Sequence, residues 1–276
     1  MDYHTNLNSR ILRANLCSAN RIVIKIGTSS LTYENGKIHL RRIDTLTRVI
    51  SDLMNQGKEI ILVSSGAIGV GVDALNLHAK PTTVSGRQAV AAVGQCHLMQ
   101  IYSKMFADYG YVTAQILLTK DIVERAESKR NAVNTFFELF KIRAIPVVNE
   151  NDTVSVDEIK FGDNDNLSYI VAKLTNADLL IILTDIDGYY NKNPNEDPEA
   201  ELYHNIVDLS EKIEQAAGGA GSMGTGGMLT KVHASRLAAD CGINAVIANG
   251  GDPAVIYSIL DGEDVGTLFV KRSSSL

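Results

Sequence analysis

The chain has 276 residues, of which 45% are hydrophobic and 21% are charged, which is the composition and length of a globular protein with a deep core. This composition excludes a disordered, collagen-like or coiled-coil chain, and the length fits one large domain or two small ones. With 32 acidic against 26 basic side chains, the net charge is −6, so the protein has no general electrostatic attraction for nucleic acid.

The cysteines and the apolar segments predict a cytoplasmic protein. Cys17, Cys96 and Cys241 lie far apart and show no metal-ligand spacing, so neither a disulfide framework nor a zinc site is expected. The N-terminal segment is polar and lacks the apolar stretch of a signal peptide. The longest strongly apolar run, 179–183, is too short to span a bilayer, and no membrane partner is expected.

Predicted strands and helices alternate along the first half of the chain. Residues 21–26 form an apolar run that predicts a buried strand, and the apolar residues between positions 40 and 54 recur at helical spacing. The elements predicted next are strand 59–63, a helical stretch after residue 67, helix 85–109, strand 112–118, helix 122–141 and strand 144–148.

The second half continues this alternation, with strands predicted at 178–183, 243–248 and 267–270. The polar stretch 191–201, which contains two prolines, is predicted to be a surface excursion within the fold. Continuous apolar strands separated by helices are typical of a mainly parallel sheet that helices cover on both faces. The sequence therefore predicts the α/β class, without an internal repeat and without a linker that divides the chain.

Five clusters of small and polar residues follow the predicted strands. Ligands of open α/β sheets bind beyond the carboxyl ends of the strands, so we expect these clusters to form one composite site. The clusters occupy residues 25–29, 64–67, 149–152, 162–166 and 184–185.

A glycine-rich segment, 218–227, contains six glycines in ten residues and leads into a helical pattern that carries Lys231. Glycines allow backbone N–H groups to approach phosphate oxygens, and a helix N-terminus adds partial positive charge. The segment is therefore either a phosphate-binding loop or a flexible connection. The Walker A pattern is absent, and so is a GxGxxG pattern after the first strand, which disfavours a dinucleotide enzyme.

Lys25 interrupts an otherwise apolar strand, where a lysine is costly to bury without a partner. It is either an edge-strand lysine that reaches solvent or a fixed positive charge directed at the ligand crevice. Asp163 and Asp165, which flank Asn164, could hold such a lysine, bind a metal ion or cap the following helix. The residues alone leave these alternatives open.

The ordered set of motifs resembles the glutamate 5-kinases, which are members of the amino acid kinase family. The resemblance implies a three-layer α/β/α sandwich with a mainly parallel central sheet. It also implies ATP-dependent phosphorylation of the γ-carboxylate of L-glutamate to L-glutamyl 5-phosphate, the first step of proline biosynthesis. The motifs that carry it are VIKIGTS at 23–29, SSGAI at 64–68, VVNEND at 147–152, GDNDNLS at 162–168 and GTGGMLTK at 224–231.

The resemblance also predicts the domain organisation. Residues 1–20 are expected to be an N-terminal extension, and residues 21–276 a kinase domain. Its N-terminal lobe is expected to bind mainly glutamate and its C-terminal lobe mainly ATP. Many bacterial glutamate 5-kinases carry a further C-terminal PUA domain, which is expected to be absent here because the chain ends soon after residue 270.

Matched motif by motif, the resemblance implies roles for individual residues. Lys25 and Lys231 are expected to act on the ATP phosphates. Asp165 is expected to orient both lysines, with Asp163 as the competing candidate. The expected nucleotide site comprises Lys25, Thr184, Asp185, Thr225, Gly226, Gly227, Met228, Leu229, Thr230 and Lys231. The expected glutamate site comprises Ser65, Asp152 and Asn164, with Asn149 assisting.

Phosphorylation of a carboxylate joins two anions, so the protein mainly supplies positioning and charge stabilisation. The nucleophile is already ionised at pH 7, and neither a general base nor a catalytic histidine is expected. The implied cofactors are ATP and Mg²⁺. The Mg²⁺ ion is expected to bind through the ATP phosphates, so no metal ligands are predicted in the protein.

Two alternative functions stay open at this point. A sibling kinase would act on acetylglutamate, aspartate, carbamate or UMP, although the motifs at 149–152 and 163–166 argue against it. A catalytically silent amino-acid sensor on the same fold is disfavoured because both lysines are retained. The resemblance further implies L-proline as a feedback inhibitor, hand-off of the product to glutamyl-phosphate reductase, and a homo-oligomer.

Overall fold

The computed structural model describes residues 3–33, 36–155, 164–194, 196–207 and 227–272. Within these ranges, eight strands form one sheet. The strands are β1 (Arg21–Ile26), β2 (Glu59–Ser64), β3 (Thr113–Leu118), β4 (Ile145–Glu150), β5 (Leu179–Thr184), β6 (Asn205–Ile206), β7 (Asn244–Asn249) and β8 (Thr267–Phe269).

The strands follow the order β3-β4-β2-β1-β5-β7-β8-β6 across the sheet. Neighbouring strands are parallel except for β7 and β8, which are antiparallel. The mainly parallel sheet predicted from the continuous apolar strands is therefore confirmed. β1 lies between β2 and β5, and the chain leaves β1 on one side and later returns on the other. In open α/β sheets, such a switch of direction marks the crevice where ligands bind.

Helices cover both faces of this sheet, which confirms the predicted three-layer sandwich. None of the described helices is long and apolar enough to cross a membrane. One face packs against α3 (Leu40–Asn55) and α5 (Val84–Ala107), and the other packs against α6 (Ala126–Lys141), α7 (Asn164–Thr175) and α8 (Met228–Asp240). The described ranges also contain α1 (Tyr3–Ala14), α2 (Thr28–Leu31), α4 (Ala67–Ala74) and α9 (Val255–Leu260).

The alternation of side chains along β1 divides them between the two apolar cores. Ile22, Ile24 and Ile26 belong to the core beneath α3 and α5, whereas Val23 belongs to the core beneath α6, α7 and α8. Lys25 lies two positions after Val23, so its side chain is on the same face as Val23. Because β1 is central in the sheet and Lys25 is only 4% exposed, the edge-strand interpretation of Lys25 is wrong.

The start of α6 differs from the sequence prediction. The helix predicted over 122–141 begins at Ala126, because the chain first forms a 3₁₀ turn over Lys120–Val123 and then becomes extended at Arg125. Apolar residues spaced three apart fit a 3₁₀ turn as well as an α-helix, so periodicity alone places this boundary too early. The apolar pattern also does not predict α1 or the two-residue strand β6.

Arg13 attaches α1 to distant parts of the chain. Its guanidinium group is almost fully buried and donates hydrogen bonds to the backbone oxygens of Val265 (2.8 Å), His204 (2.8 Å) and Gly266 (3.0 Å). Its Nε also lies 3.1 Å from Oδ1 of Asp264. Burial lowers the pKa of Arg13, and the Asp264 carboxylate opposes that shift. An arginine nevertheless stays protonated in proteins, so this group is a permanent buried cation.

Replacing Arg13 with methionine, which has a similar length but no donors, is expected to destabilise the protein by about 2–4 kcal/mol. The reason is that several backbone carbonyl oxygens lose their donor at once. Urea unfolding followed by circular dichroism measures this change. Arg10→Met, an exposed position on the same helix, is the control and should change stability by less than about 0.5 kcal/mol. An equally small change in both variants would contradict the anchoring role of Arg13.

Candidate active site

The carboxyl end of β1 and the first turns of α7 and α8 bring three charged side chains into contact. Nζ of Lys25 lies 2.7 Å from Oδ1 of Asp165, and Nζ of Lys231 lies 3.1 Å from Oδ2 of the same carboxylate. Oγ1 of Thr230 donates a hydrogen bond of 2.7 Å to Oδ2 as well. The structure therefore brings together the three residues predicted as catalytic, and we call them the ionic cluster.

Burial and charge oppose each other in the ionic cluster. Asp165 is fully buried, and burial alone raises the pKa of its carboxyl group. The ammonium groups of Lys25 and Lys231, together with hydrogen bonds from Lys25 and Thr230, outweigh burial and lower that pKa, so the carboxylate is ionised. Burial lowers the pKa of Lys231, and the Asp165 carboxylate opposes the shift. Two ammonium groups against one carboxylate leave a positive charge that favours an anionic ligand.

Amide and hydroxyl side chains form a second cluster beside the first. Nδ2 of Asn164 donates hydrogen bonds to Oγ of Ser65 (2.8 Å) and to Oδ1 of Asn149 (2.9 Å). Nδ2 of Asn149 donates in turn to Oε1 of Gln95 on α5 (2.9 Å). All four side chains are buried. Three of the residues predicted for glutamate binding therefore belong to one amide network, and Gln95 extends it.

A sharp turn at the end of β2 places Ser65 in this network. Gly66 has a φ of +103°, in the left-handed region that glycine adopts without strain. The helix α4 begins directly afterwards at Ala67. The small residues that follow the strand in the sequence are thus the residues that allow the chain to turn over the carboxyl end of the sheet.

The two clusters join at the start of α7. Asn164 belongs to the amide network, and the next residue, Asp165, belongs to the ionic cluster. Successive residues of an α-helix point about 100° apart, so two neighbouring positions can serve two adjacent sites. One turn of helix thus places a neutral polar site directly beside a positively charged one.

Asp152, the remaining residue predicted for glutamate binding, lies in the turn after β4. It is buried and lines a cavity of about 570 Å³ bounded by α5, β3 and that turn. Gln95 lines the same cavity, so the cavity adjoins the amide network. Glu150 and Asp152 are its acidic side chains, and its described lining contains no lysine, arginine or histidine. The cavity therefore favours a ligand group with positive charge.

Residues predicted for the nucleotide site lie at the carboxyl end of β5. Oγ1 of Thr184, which is buried, donates a hydrogen bond of 3.0 Å to Oδ1 of Asp185, which is exposed. The Asp185 carboxylate also acts to raise the pKa of Lys231. The end of β5 therefore lies close enough to the ionic cluster for electrostatic interaction.

The predicted phosphate-binding segment is described in part. Gly227 directly precedes α8, and 228–231 form the first turn of that helix. Lys231 points into the ionic cluster from this turn. The predicted residues Thr225 and Gly226, and the competing acidic candidate Asp163, lie outside the described residues.

Arg42 on α3 is a residue near the site that sequence reasoning missed. Its Nε donates to the backbone oxygen of Gly251 (3.0 Å), and its Nη1 donates to the backbone oxygens of Ser29 (3.2 Å) and Ser30 (3.1 Å). It connects α2, the short helix after β1, with the loop after β7. No local pattern signals such a contact, because it depends on which strand ends are neighbours.

Comparison with known proteins connects this geometry to a family. The sequence model of the amino acid kinase family matches residues 20–249. The chain is 53% identical to the glutamate 5-kinase of Clostridium perfringens, over 95% of this chain and 99% of that protein. It is 52% identical to the glutamate 5-kinase of Enterococcus faecalis, over 94% and 98%. The solved UMP kinase from Ureaplasma parvum matches with a TM-score of 0.62, over 92% of this chain and 99% of that one, at 16% identity.

These findings differ in what they establish. The likeness to UMP kinase shows a shared fold and no more, because the sequences are only 16% identical. The family match covers most of the chain, and the identity to glutamate 5-kinases extends over nearly its full length. The chain therefore belongs to the amino acid kinase family and, within it, to the glutamate 5-kinases.

Proposed function

We propose that this protein transfers the γ-phosphoryl group of ATP to the γ-carboxylate of L-glutamate, and so forms L-glutamyl 5-phosphate and ADP, the first step of proline biosynthesis. The observation that carries the proposal is the start of α7, where Asn164 and Asp165 join the amide network to the ionic cluster. A glutamate carboxylate bound at the amide network and a nucleotide phosphate bound at the ionic cluster would meet across neighbouring residues.

The reaction requires charge stabilisation rather than removal of a proton. The γ-carboxyl group of glutamate has an ordinary pKa of about 4.3, so it is ionised at neutral pH. One of its oxygens attacks the γ-phosphorus of ATP, a new oxygen–phosphorus bond forms, and the bond to the β-phosphate oxygen breaks with release of ADP. No proton moves at the reacting atoms, so the step needs no histidine.

Lys25 and Lys231 supply the fixed positive charge for this transfer. Their ammonium groups stabilise the negative charge that spreads over the phosphoryl oxygens in the transition state. Both lysines are buried and already in contact with Asp165, so they need little reorganisation during the reaction. Asp165 does not react in this account. It is a positioning residue that holds both lysines in place.

Mg²⁺ supplies further positive charge to the triphosphate when it binds with ATP. The ionic cluster offers two ammonium groups and one carboxylate, which leaves much of the charge of a triphosphate uncompensated. This uncompensated negative charge is consistent with a nucleotide that binds as its Mg²⁺ complex. In the described parts of the chain, no group of three or more histidine, cysteine, aspartate or glutamate side chains is placed to hold a metal. Asp185, which is exposed and acts on the pKa of Lys231, belongs to the nucleotide side of the site in this proposal.

Asp152 binds the α-ammonium group of glutamate in this proposal. That group must lose water when it enters a buried site, so it needs an acceptor with negative charge. Asp152 is buried in the wall of a cavity that it shares with a second acidic side chain, Glu150. Acetylglutamate has no free ammonium group, so this contact favours glutamate over its acetylated relative.

Asp152→Ala is expected to raise the KM for glutamate about tenfold to 100-fold. A charge-assisted hydrogen bond contributes about 1.5–3 kcal/mol, and about 1.4 kcal/mol corresponds to tenfold in affinity. The KM for ATP should change much less, because the nucleotide binds at the other cluster. Steady-state kinetics with glutamate and ATP varied separately measure both constants.

Asp185→Ala is the matched control for that experiment, because it also removes one carboxylate from a strand end. It should raise the KM for ATP more than the KM for glutamate. An unchanged glutamate KM in Asp152→Ala would remove Asp152 from substrate binding. A reversed pattern in the two variants would contradict the division of the site into a glutamate side and a nucleotide side.

The domain organisation, the location and the remaining partners are proposals that rest on the resemblance. The N-terminal lobe binds mainly glutamate and the C-terminal lobe mainly ATP. In this division, Ser65 and Asp152 belong to the substrate side, and Asp185 and Lys231 belong to the nucleotide side. We also propose a cytoplasmic homo-oligomer that L-proline inhibits and that hands its acyl phosphate to glutamyl-phosphate reductase.

A further inference from the structure

We propose that Gln95 binds the α-carboxylate of the amino-acid substrate through its side-chain Nε2. This inference rests on the proposed function, because it adds one contact to the same glutamate site. Gln95 lies on α5, is 8% exposed and lines the cavity that also contains Asp152. Its Nε2 is buried and has no hydrogen-bond partner within the described parts of the chain.

A backbone donor fixes the orientation of the Gln95 amide. The N–H of Glu150 donates to Oδ1 of Asn149 (2.9 Å), which makes that oxygen an acceptor. The other end of the Asn149 amide, Nδ2, must then be the donor toward Gln95, and Gln95 meets it with Oε1 at 2.9 Å. A reversed Gln95 amide would bring two N–H groups together. Nε2 is therefore the end of the amide that remains for a ligand.

A buried N–H group without an acceptor destabilises a protein, and most such groups are paired. A bound carboxylate oxygen would satisfy Nε2 and would gain a charge-assisted hydrogen bond in return. Gln95 is thus a donor that is already oriented by the protein and that lacks only its acceptor.

The charges of the cavity indicate which part of the substrate this acceptor is. Glu150 and Asp152 are acidic, and the described lining has no basic side chain, so a ligand carboxylate must be met by neutral donors. The α-ammonium and α-carboxylate groups are bonded to the same carbon, so a donor that shares the cavity with Asp152 lies near the α-carboxylate. The γ-carboxylate must instead lie where the amide network meets the ionic cluster, beside the phosphate to be transferred.

A neutral amide has a further advantage over a cation at this position. An arginine or lysine at residue 95 would pair with the acidic side chains of the cavity and would compete with the substrate ammonium for Asp152. An amide N–H donates to a carboxylate without neutralising those acids. The cavity can therefore recognise both charges of an α-amino acid.

The test compares L-glutamate with 4-aminobutyrate, which keeps the amine and the reacting carboxylate but lacks the α-carboxylate. Gln95→Glu keeps an oxygen for Asn149 and replaces the N–H donor by a second oxygen. It should lower kcat/KM for glutamate about tenfold to 100-fold, mainly through KM. The inhibition constant of 4-aminobutyrate against glutamate should change by less than about threefold.

Two further variants complete the experiment. Gln95→Met has a similar size and no charge, so it gives the same comparison without burying a carboxylate. It should also weaken the binding of glutamate more than the binding of 4-aminobutyrate. Gln88→Glu makes the same charge change on the same helix, at a half-buried side chain outside the described lining of the cavity. It should change kcat/KM for glutamate and the inhibition constant of 4-aminobutyrate by less than about threefold.

The outcomes separate this inference from the proposed function. Weaker binding of glutamate without equally weaker binding of 4-aminobutyrate supports the contact with the α-carboxylate. Equal losses for both ligands in the two Gln95 variants would overturn the inference and leave Gln95 as a support for Asn149, with the proposed function intact. A parent enzyme that forms no ADP in response to glutamate would overturn both.

Discussion

Replacing Lys25 with alanine is expected to lower kcat by about 10²–10³-fold, the scale on which loss of one preorganised charge-stabilising donor acts. Lys25 projects from the central strand β1, and its Nζ is held 2.7 Å from Oδ1 of Asp165. Without this ammonium group, Lys231 alone must meet both the buried carboxylate and the charge of the transferred phosphoryl group. Lys231→Ala should lower kcat on the same scale, because it removes the second of the two ammonium groups that contact Asp165.

The double variant tests whether the two lysines act on one phosphoryl group. The fold decrease in its kcat should be smaller than the product of the two single decreases, because the effects of residues that act as a unit are not additive. ADP formation at saturating glutamate and Mg²⁺–ATP measures kcat. Lys141→Ala, which removes an exposed lysine from α6, should leave kcat unchanged. Near-normal turnover in both single variants would contradict the catalytic assignment of the lysines.

Asp165→Asn is the second substitution with a large expected effect. It keeps the size of the side chain but removes the charge that holds Lys25 and Lys231, so kcat should fall about 10²-fold or more. The two ammonium groups would also repel each other in a buried place, and removal of one partner of a buried ion pair costs about 3–5 kcal/mol of stability. Activity assays and urea unfolding of the same variant measure both effects.

The pH profile of Asp165→Asn provides an independent test, because the structure predicts the direction in which its alkaline limb moves. Burial lowers the pKa of Lys231, and the Asp165 carboxylate opposes that shift. Removing the carboxylate therefore lowers the pKa of Lys231 further, so the lysine loses its proton at a lower pH. The alkaline limb of kcat/KM should move toward lower pH. Asp240→Asn, at the far end of α8, should leave the limb in place. A limb that stays fixed or moves to higher pH in Asp165→Asn would contradict this electrostatic account.

Much of the fold is predictable because the central strands carry their own signal. β2 and β5 carry apolar runs that are buried on both faces, and β1 does so apart from Lys25. Such runs are visible without knowledge of their neighbours. β6 is different, because its two residues become a strand only by pairing with β8. The N-terminal helix is likewise attached through Arg13, whose partners His204 and Val265 lie far along the chain.

The candidate site is predictable where one residue type interrupts a pattern. Lys25 stands out as a charge within an apolar strand, but its meaning depends on whether β1 is central or at the edge, which is a property of the whole sheet. Gln95 gives a weaker signal, because it lies within a long helix and its partner Asn149 comes from a strand far along the sequence. The sequence thus indicates which residues are unusual, and the packing decides which of them meet.

Trapping of the acyl phosphate with hydroxylamine shows directly whether the protein phosphorylates L-glutamate. The protein is incubated with ATP, Mg²⁺ and hydroxylamine, together with L-glutamate, N-acetylglutamate or L-aspartate in parallel. We expect glutamyl hydroxamate to form with L-glutamate, in step with ADP, and the other two acids to give little product. Hydroxamate from N-acetylglutamate or L-aspartate at a higher rate than from L-glutamate, or no hydroxamate from L-glutamate at all, would contradict the account.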